Sequence, residues 1–472
     1  MIILVQFTKL MSKNSWLILV ILFFNPIRAQ EHIPAVEKAF AKLEADSQLQ
    51  YGLASFYVVD FATGKPVFER NGKIGMVPAS CQKVISAAAA LEILGKDFRY
   101  ETKFGYAGPV QDGELKGKII VQGSGDPTLG SDRFRGTRKE TIGAALKNAL
   151  EAAQIKKIQG GVAGVETGFE TTVIPNGWIW EDIGNYYGAG HSDLNWHENQ
   201  YDLWLRPGRK PGDPVVVIRT VPSLNGQSFS NELTSGKAGS GDNAYLYFIP
   251  GKASIGIRGT IPCCIDSFRI SGAVTNPADF TLRQIKILSG ALGAVESFFG
   301  DDELAKIGPK HLYTHYSPGL DSIIFWFLQK SVNLYGEALV HTLAQKIKGK
   351  ADYDSGLSII RDFWALNGID KKAINIMDGS GLSPQNRVTA EALVKVLLFA
   401  RSRPWFTVLY DALPLYNGIK MKSGTINGAK TYTGYIKNKS GKEYAFAIMV
   451  NNYSGSSSMI NKKLYEVLDS LK

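Results

Sequence analysis

The chain has 472 residues, of which 44% are hydrophobic, 11% aromatic and 20% charged, and its formal charge is +10 at pH 7. These proportions are those of a globular protein and exclude a disordered, collagen-like or coiled-coil chain. The three cysteines are too few for a disulfide-stapled miniprotein, and the length leaves room for about three domains with a buried core and a cleft. The basic excess favours an acidic polymer or an anionic surface as a partner.

Residues 1–29 have the pattern of a secretory signal peptide. Lys9 and Lys13 precede the apolar residues 16–24, and Ala29 offers a small-residue cleavage site. The apolar run is shorter than the roughly 20 residues that a membrane-spanning helix needs, and no later stretch reaches that length. We therefore expect a mature protein without a transmembrane helix, secreted to the periplasm or otherwise outside the cytoplasm. A buried N-terminal helix is the alternative interpretation.

The rest of the chain is predicted to have a helical start, a strand-rich middle and a helical return. In chain order, periodicity and turn signals predict a helix over 36–49, strands over 51–60 and 67–70, an alanine-rich helix after residue 80 that runs to 94, short strands and turns over 97–290, helices over 319–348, 356–366 and 389–400, and a hairpin with strands over 431–437 and 443–451. The strand-rich middle has the character of an insert.

The first chemical motif is Ser80-Cys81-Gln82-Lys83, where a loop that ends near Pro78 meets the alanine-rich helix. Residues three apart on a helix are neighbours, so Ser80 and Lys83 can touch. A serine hydroxyl is a poor nucleophile until a base removes its proton, and a lysine made neutral by desolvation or by a nearby cation can be that base. The motif therefore indicates an activated serine, with a capping serine beside a solvated lysine as the structural alternative.

Two further motifs follow at wide spacing. Ser331-Val332-Asn333 opens a helical stretch and can direct both polar side chains into one site if its start is a loop or a distorted turn. Lys422-Ser423-Gly424-Thr425 offers a cation and hydroxyls for a carboxylate, with a glycine that lets a substrate approach the backbone. The turn of the predicted hairpin explains a second copy, Lys439-Ser440-Gly441. Each motif is common by itself, and only their order within an exported chain gives them weight.

Cysteine and metal chemistry are weighed as alternatives. Cys81 could indicate a thiol protease, but one step along a helix turns it about 100° from the serine, and alanine-rich helices bury such cysteines. Cys263 and Cys264 are predicted not to bond each other because consecutive side chains diverge. His311 and His315 could share a helix face but lack the glutamate of a metalloprotease motif. We therefore expect no metal ion. No Gly-Lys pair is followed by Ser or Thr, so we also expect no P-loop.

Taken together, the motifs make the sequence resemble the penicillin-recognising active-site serine enzymes, and more narrowly the D-alanyl-D-alanine carboxypeptidase/endopeptidase family related to penicillin-binding protein 4. The resemblance covers nearly the whole mature chain. Besides the three motifs it rests on Gly125-Asp126-Pro127-Thr128-Leu129, Asp182-Ile183-Gly184-Asn185-Tyr186-Tyr187-Gly188-Ala189, the continuation Leu334-Tyr335-Gly336-Glu337-Ala338-Leu339, Asp378-Gly379-Ser380-Gly381-Leu382-Ser383 and Asn386-Arg387-Val388-Thr389. The sequence departs from the pattern of the family at Ser423, where threonine is usual, and at Pro384, where arginine is common.

The resemblance implies an α/β (α+β) fold. A transpeptidase/β-lactamase-like domain, with a five-stranded antiparallel sheet and helices, is split by a large β-rich insert. On this basis we expect residues 30–96 and 291–472 to form the catalytic domain and residues 97–290 to form the insert, with a nested domain at about 205–270.

The implied reaction is acyl transfer to water from the D-Ala-D-Ala end of a peptidoglycan peptide or from a D-centred crosslink. Ser80 attacks the carbonyl with Lys83 as the base, and Ser331 passes the proton to the leaving amine. Asn333 holds Lys83 and the substrate amide. The N–H groups of Ser80 and Thr425 form the oxyanion hole.

Substrate recognition is implied at two places. Lys422 and the Ser423 and Thr425 hydroxyls anchor the substrate carboxylate. Asp182 and Tyr187 match the stretch that reaches from the insert to the groove, where a carboxylate can pair with a diaminopimelate-type ammonium and a tyrosine can supply an apolar wall. The alternative is that Asp182 caps a loop and Tyr187 packs in the core of the insert.

The resemblance implies β-lactam antibiotics as acylating inhibitors, and it implies neither a cofactor nor a nucleic-acid partner. Two other functions remain open from the sequence. The same serine and lysine occur in β-lactamase-like hydrolases, although the large insert argues against that activity. A non-catalytic penicillin-binding wall sensor would retain the pocket without turnover.

Overall fold

A computed structural model describes residues 33–165, 167–224, 226–249, 254–299 and 308–472, so the predicted signal peptide lies outside the described residues. The strands are, in chain order, β1 (Leu53–Asp60), β2 (Pro66–Arg70), β3 (Glu101–Ala107), β4 (Val110–Gln111), β5 (Glu114–Leu115), β6 (Lys118–Gln122), β7 (Lys157–Ile158), β8 (Val162–Val165), β9 (Gln200–Arg206), β10 (Val216–Val221), β11 (Phe229–Asn231), β12 (Thr234–Gly236), β13 (Asn243–Phe248), β14 (Ile255–Pro262), β15 (Phe268–Ala273), β16 (Val295–Phe299), β17 (Lys310–Tyr316), β18 (Ile374–Asn375), β19 (Arg387–Val388), β20 (Leu415–Tyr416), β21 (Ile419–Ile426), β22 (Ala429–Lys437) and β23 (Glu443–Asn451).

The α-helices of the described residues are α1 (Pro34–Glu44), α2 (Lys83–Leu94), α3 (Lys139–Ala152), α4 (Trp180–Ile183), α5 (Pro277–Ser289), α6 (Leu320–Gln329), α7 (Asn333–Lys348), α8 (Tyr353–Leu366), α9 (Ala390–Arg401), α10 (Phe406–Ala412) and α11 (Ser457–Asp469). None of these helices has the length and apolar character that crossing a bilayer requires.

An antiparallel sheet built from both ends of the chain forms the centre of the catalytic part. Its strand order is β2-β1-β23-β22-β21-β20. Five of these strands correspond to the sheet that the resemblance implies, and the two-residue β20 extends its edge. The mixed α/β fold predicted from the sequence is confirmed.

Alternation along β1 divides the core into two layers. Phe56 and Val58 pack with the side chains of α1 and α11, whereas Tyr57 and Val59 pack with those of α2 and α6 to α10. Successive residues of a strand point to opposite faces, so an entirely buried strand can serve both layers. The central sheet is therefore covered by helices on both sides.

Helix α2 lies inside the second layer. Its residues from Lys83 to Ala90 are all fully buried, and the four consecutive alanines give this helix a small diameter. The small side chains let neighbouring backbone come close, and Ser86 Oγ donates to the Gly379 carbonyl at 2.7 Å. This contact joins the helix to the segment that contains Gly379.

The strand-rich middle forms sheets of its own around a separate hydrophobic cluster. A five-stranded sheet has the order β16-β8-β6-β3-β17, and smaller sheets are formed by β10-β9-β15 and by β11 to β14. Strand β17 pairs with β3, and the Ser317 amide donates to the Tyr100 carbonyl at 3.0 Å, so this sheet continues past the expected limit at residue 290. We propose that the insert extends to about Ser317 and that β10 to β14 belong to the nested domain.

Three local expectations are corrected by the structure. Residues 310–316 form strand β17, so His311 and His315 do not share a helix face. The helical stretch predicted over 319–348 is two helices, because α6 ends at Gln329 and α7 begins at Asn333. The side chains of Cys263 and Cys264 do not diverge: their sulfur atoms are in contact, although the two residues form no disulfide bond. The left-handed backbone of Cys264, with φ of 67°, turns the two side chains together.

Candidate active site

Ser80 lies in a short 3-10 turn, Ala79–Gln82, that leads directly into helix α2. Ala79 has a φ of 44°, a left-handed value that is uncommon for a residue with a Cβ atom. Gly381 packs so closely that a Cβ atom there would lie 2.0 Å from the Ala79 carbonyl oxygen. This contact supports the strained turn, which places Ser80 in the wall of a cavity of about 820 Å³.

Lys83 is fully buried and points at the serine. Its Nζ lies 2.9 Å from Ser80 Oγ, 2.6 Å from Asn333 Oδ1 and 2.7 Å from the Ser380 carbonyl oxygen. Burial lowers the pKa of Lys83 well below its usual value, and the positive charge of Lys422 lowers it further. Both effects favour the neutral amine, the form that can accept a proton.

The second motif reaches the same cavity through a distorted helix start. Ser331 has a φ of 58°, and helix α7 begins two residues later at Asn333. Both residues line the cavity together with Ser80. The Asn333 Nδ2 donates to the Tyr187 carbonyl at 2.8 Å, so this side chain joins Lys83 to the insert.

The third motif brings strand β21 against the serine. A Cβ atom on Gly424 would lie 2.6 Å from the Pro78 carbonyl oxygen and 2.9 Å from the Ser80 amide nitrogen. Only a glycine allows the two backbone segments to approach this closely. The backbone after Gly424 therefore lies next to the backbone of Ser80, as a shared oxyanion hole requires.

The side chains of this motif differ in their access to the cavity. Thr425 lines the cavity. Among the described residues, Lys422 and Ser423 do not form part of its wall. Lys422 is buried, and its Nζ donates to the Ser423 carbonyl at 2.9 Å. Burial lowers the pKa of Lys422 to about 8.

Cys81 faces away from the cavity. It is fully buried, and its Sγ donates to the Lys422 carbonyl at 3.1 Å. Burial raises the pKa of the thiol to about 11, which keeps it protonated at neutral pH. The geometry agrees with the sequence argument that this cysteine is structural.

The insert contributes Asp182 and Tyr187 to the cavity wall, on helix α4 and the turn that follows. Both side chains are partly buried. Burial raises the pKa of Asp182 to about 6, although its hydrogen bond with Tyr187 acts in the opposite direction. Pro384, which stands where arginine is common, also lines the cavity.

Asp378 organises the segment that carries Gly381. This fully buried carboxylate accepts hydrogen bonds from distant parts of the chain. Its donors, at 2.7 to 3.0 Å, are Gln82 Nε2, Trp178 Nε1, the amides of Gly381 and Ser383, and Asn386 Nδ2. Trp178 lies in the proposed insert, so one carboxylate joins that segment to helix α2 and to the loop next to Lys83.

Comparison with known proteins decides the family. Residues 36–470 match the D-Ala-D-Ala carboxypeptidase 3 (S13) family. The chain belongs to this family. The assignment confirms the resemblance found in the sequence and the predicted class of enzyme, a serine-type D-Ala-D-Ala carboxypeptidase.

Relatives of the S13 family share most of the length of the chain. A D-alanyl-D-alanine carboxypeptidase of Actinomadura sp. (strain R39) is 27% identical over 455 residues, which cover 87% of this chain and 80% of the relative. The crystal structure of penicillin binding protein 4 from Haemophilus influenzae matches with a TM-score of 0.75 at 21% identity, over 92% of this chain and 98% of the other. A predatory peptidoglycan endopeptidase from Bdellovibrio bacteriovorus has a TM-score of 0.50 at 15% identity, over 89% and 92% of the two chains.

Two buried groups beside this site have no role assigned from the sequence. Glu337 follows the second motif by one helical turn and is fully buried, and Lys430 on β22 lies opposite Thr425 in the sheet register. The Glu337 carboxylate accepts from the Gly379 amide at 2.9 Å. Helical spacing could have indicated Glu337, but Lys430 is visible only once the pairing of β21 with β22 is known.

Glu337 makes the stability of the protein depend on pH. Burial, and then the charge of Asp378, raise the pKa of Glu337 from 4.5 to about 8. Between these values the folded protein holds a proton that the unfolded chain has lost, so the free energy of unfolding falls by about 1.4 kcal/mol per pH unit as the pH rises. We expect Glu337→Gln to remove this slope between pH 5 and pH 8 in denaturant titrations. A variant whose stability tracks that of the wild type at every pH would contradict the assignment.

Proposed function

We propose that this protein hydrolyses peptidoglycan stem peptides at D-Ala-D-Ala ends, or at D-centred crosslinks, through an acyl-enzyme on Ser80. The observation that carries the proposal is the 2.9 Å contact between Ser80 Oγ and the buried Nζ of Lys83. A serine at a cavity wall beside a desolvated amine has what nucleophilic catalysis requires. The family assignment supports the choice of substrate.

The surroundings of Lys83 support its proposed role as the base. A neutral amine has two N–H groups and one lone pair. Asn333 Oδ1 and the Ser380 carbonyl, at 2.6 and 2.7 Å, can accept the two N–H groups, which leaves the lone pair for the Ser80 hydroxyl proton. Attack of Oγ on the substrate carbonyl then transfers this proton to Nζ. General base catalysis of this kind is worth about 10²- to 10⁴-fold in rate.

Collapse of the tetrahedral intermediate needs a proton on the leaving amine. Ser331 lies in the wall of the same cavity as Ser80, and we propose that its hydroxyl passes the proton from Lys83 to the leaving D-alanine. The amides of Ser80 and Thr425 stabilise the oxyanion, each donor contributing about 3 kcal/mol in comparable hydrolases. Water then attacks the acyl-enzyme by the reverse proton path.

The two Lys-Ser-Gly segments provide a matched test of carboxylate binding. Lys422 is buried in the site with Ser423 and Thr425 beside it, whereas Lys439 lies in the exposed turn after β22. We expect Lys422→Ala to lower the rate of acylation by more than about tenfold, because it removes the cation and its charge-assisted hydrogen bond. Lys439→Ala should leave acylation unchanged, and equal effects of the two substitutions would contradict the assignment.

Asp182 is proposed to select the stem-peptide side chain. Above its pKa of about 6, the carboxylate in the cavity wall can pair with a free ammonium of the peptide. We expect Asp182→Ala to lower kcat/KM at pH 7.5 for a stem peptide with a free side-chain amine, and to spare acylation by benzylpenicillin, which lacks that amine. A parallel loss on both compounds, or no loss on either, would contradict this role.

We further propose that the protein acts outside the cytoplasm. The predicted signal peptide over 1–29 and a substrate that forms part of the cell wall support this location.

Digestion of defined muropeptides tests the proposed function. Purified protein is incubated with a disaccharide pentapeptide ending in D-Ala-D-Ala and with a D-centred crosslinked dimer, and the products are read by mass. We expect loss of one D-alanine from the first compound, cleavage of the second into monomers, or both. Covalent penicillin binding without either product would indicate a sensor, and penicillin turnover faster than peptide turnover would indicate a β-lactamase.

A further inference from the structure

Lys430 is a buried cation next to the cavity that the mechanism above does not use. It lies on β22 directly opposite Thr425 of β21, and its side chain crosses to that strand. The Lys430 Nζ donates to Thr425 Oγ1 at 2.7 Å and lies 5.0 Å from the centre of the Tyr432 ring. The residue is 7% exposed. Thr425, in contrast, is exposed in the wall of the cavity that contains Ser80.

No carboxylate in the described part of the chain forms an ion pair with Lys430. Burial lowers its pKa. Lys422, on the neighbouring strand, is a second buried lysine that forms no ion pair in the described residues, whereas burial favours the neutral form of Lys83. Buried charge is costly unless it is paired, so the site is arranged for an anionic ligand.

The hydrogen bond between Lys430 and Thr425 has a direction. An ammonium can only donate, so the Thr425 oxygen is the acceptor and its own O–H remains available. The adjacent charge makes this hydroxyl a stronger donor. Thr425 is in the cavity wall next to the third motif, where a carboxylate of the substrate can meet it.

We propose that Lys430, acting through the Thr425 hydroxyl, is a positioning residue that makes the enzyme select acyl donors with a free carboxylate. The inference rests on the proposed function and adds a specificity residue to it. Lys422 remains the proposed carboxylate anchor of the third motif, and its contacts differ from those of Lys430: its Nζ donates to the Ser423 carbonyl, and its charge lowers the pKa of Lys83. Lys430 instead places a positive charge next to the Thr425 hydroxyl, which lines the cavity.

The test compares Lys430→Met, which keeps the length and apolar contact of the side chain, with Lys430→Arg, which keeps the charge. Two pairs of compounds are used: a diacyl-Lys-D-Ala-D-Ala peptide and its C-terminal amide, and benzylpenicillin and its methyl ester. We expect Lys430→Met to lower kcat/KM for the carboxylates by about tenfold or more and for the amide and ester by less than about twofold. Lys430→Arg should retain most of the preference for the carboxylate.

Thr425→Ala completes a double-mutant cycle. Because Lys430 is proposed to act through this hydroxyl, Lys430→Met should have little additional effect in the Thr425→Ala background. Equal losses on carboxylate and uncharged compounds, or no loss on either, would overturn the proposal, and so would additive losses in the cycle. Failure of the wild-type protein to cleave the peptide would instead overturn the proposed function, so the two failures are distinguishable. Thermal unfolding of each variant identifies a general loss of fold. If Lys430→Met does not fold, the proposal is tested by Lys430→Arg, which should retain most of the preference for the carboxylate.

Discussion

Ser80→Ala is expected to abolish both peptide hydrolysis and covalent labelling by penicillin, with a loss of about 10⁴-fold or more in acylation. The hydroxyl is the atom that forms the acyl bond, and removing it leaves only a small gap at the cavity wall. Lys83 keeps its contacts with Asn333 and the Ser380 carbonyl in this variant, so the site should remain folded. Labelling with a fluorescent penicillin, read beside a thermal unfolding curve, measures both outcomes.

Cys81→Ala is the matched control for the serine variant. Cys81 is the next residue along the same turn, but its thiol is fully buried and donates to the Lys422 carbonyl. We expect this variant to retain covalent labelling. Loss of labelling in Cys81→Ala together with its retention in Ser80→Ala would reverse the assignment of the nucleophile.

Lys83→Arg is expected to be nearly as damaging as loss of the serine, with a decrease in acylation rate of about 10²- to 10⁴-fold. A guanidinium can still donate hydrogen bonds to the oxygens around Lys83, but it stays protonated and has no lone pair for the Ser80 proton. Lys83→Met should be equally slow, because it removes the base altogether. Rapid-mixing measurements of acylation with a chromogenic β-lactam give the rate for each variant.

The contrast between the two Lys83 variants separates charge from proton transfer. If the positive charge of Lys83 were its contribution, the arginine variant would acylate at close to the wild-type rate while the methionine variant would not. If the amine is the base, both variants fail. The pKa of Lys83, lowered by burial and by Lys422, predicts the second result.

The parts of the structure that could be predicted from the sequence are those that depend on local spacing. Ser80 and Lys83 touch because they are one helical turn apart. The hairpin of β22 and β23 follows from its strand pattern and its turn. The alanine-rich helix is as buried as its composition indicated.

The features that local spacing does not predict depend on contacts between distant segments. Pairing of β17 with β3 extends the sheet of the insert beyond residue 290, and a register between strands is not encoded in the local pattern of either one. Lys430 enters the site only through its register with Thr425. The left-handed backbone of Cys264 is likewise not indicated by its sequence, because residues with a Cβ atom rarely adopt it.

Mapping the acylated residue of the wild-type protein tests the account most directly. The protein is trapped with benzylpenicillin, digested with a protease and sequenced by tandem mass spectrometry. We predict a single penicilloyl group on Ser80, within the peptide that also contains Cys81 and Lys83, and its absence from Ser80→Ala. A penicilloyl group on any other residue, or no covalent adduct in a folded protein, would contradict the assignment of Ser80 as the nucleophile and the roles assigned around it.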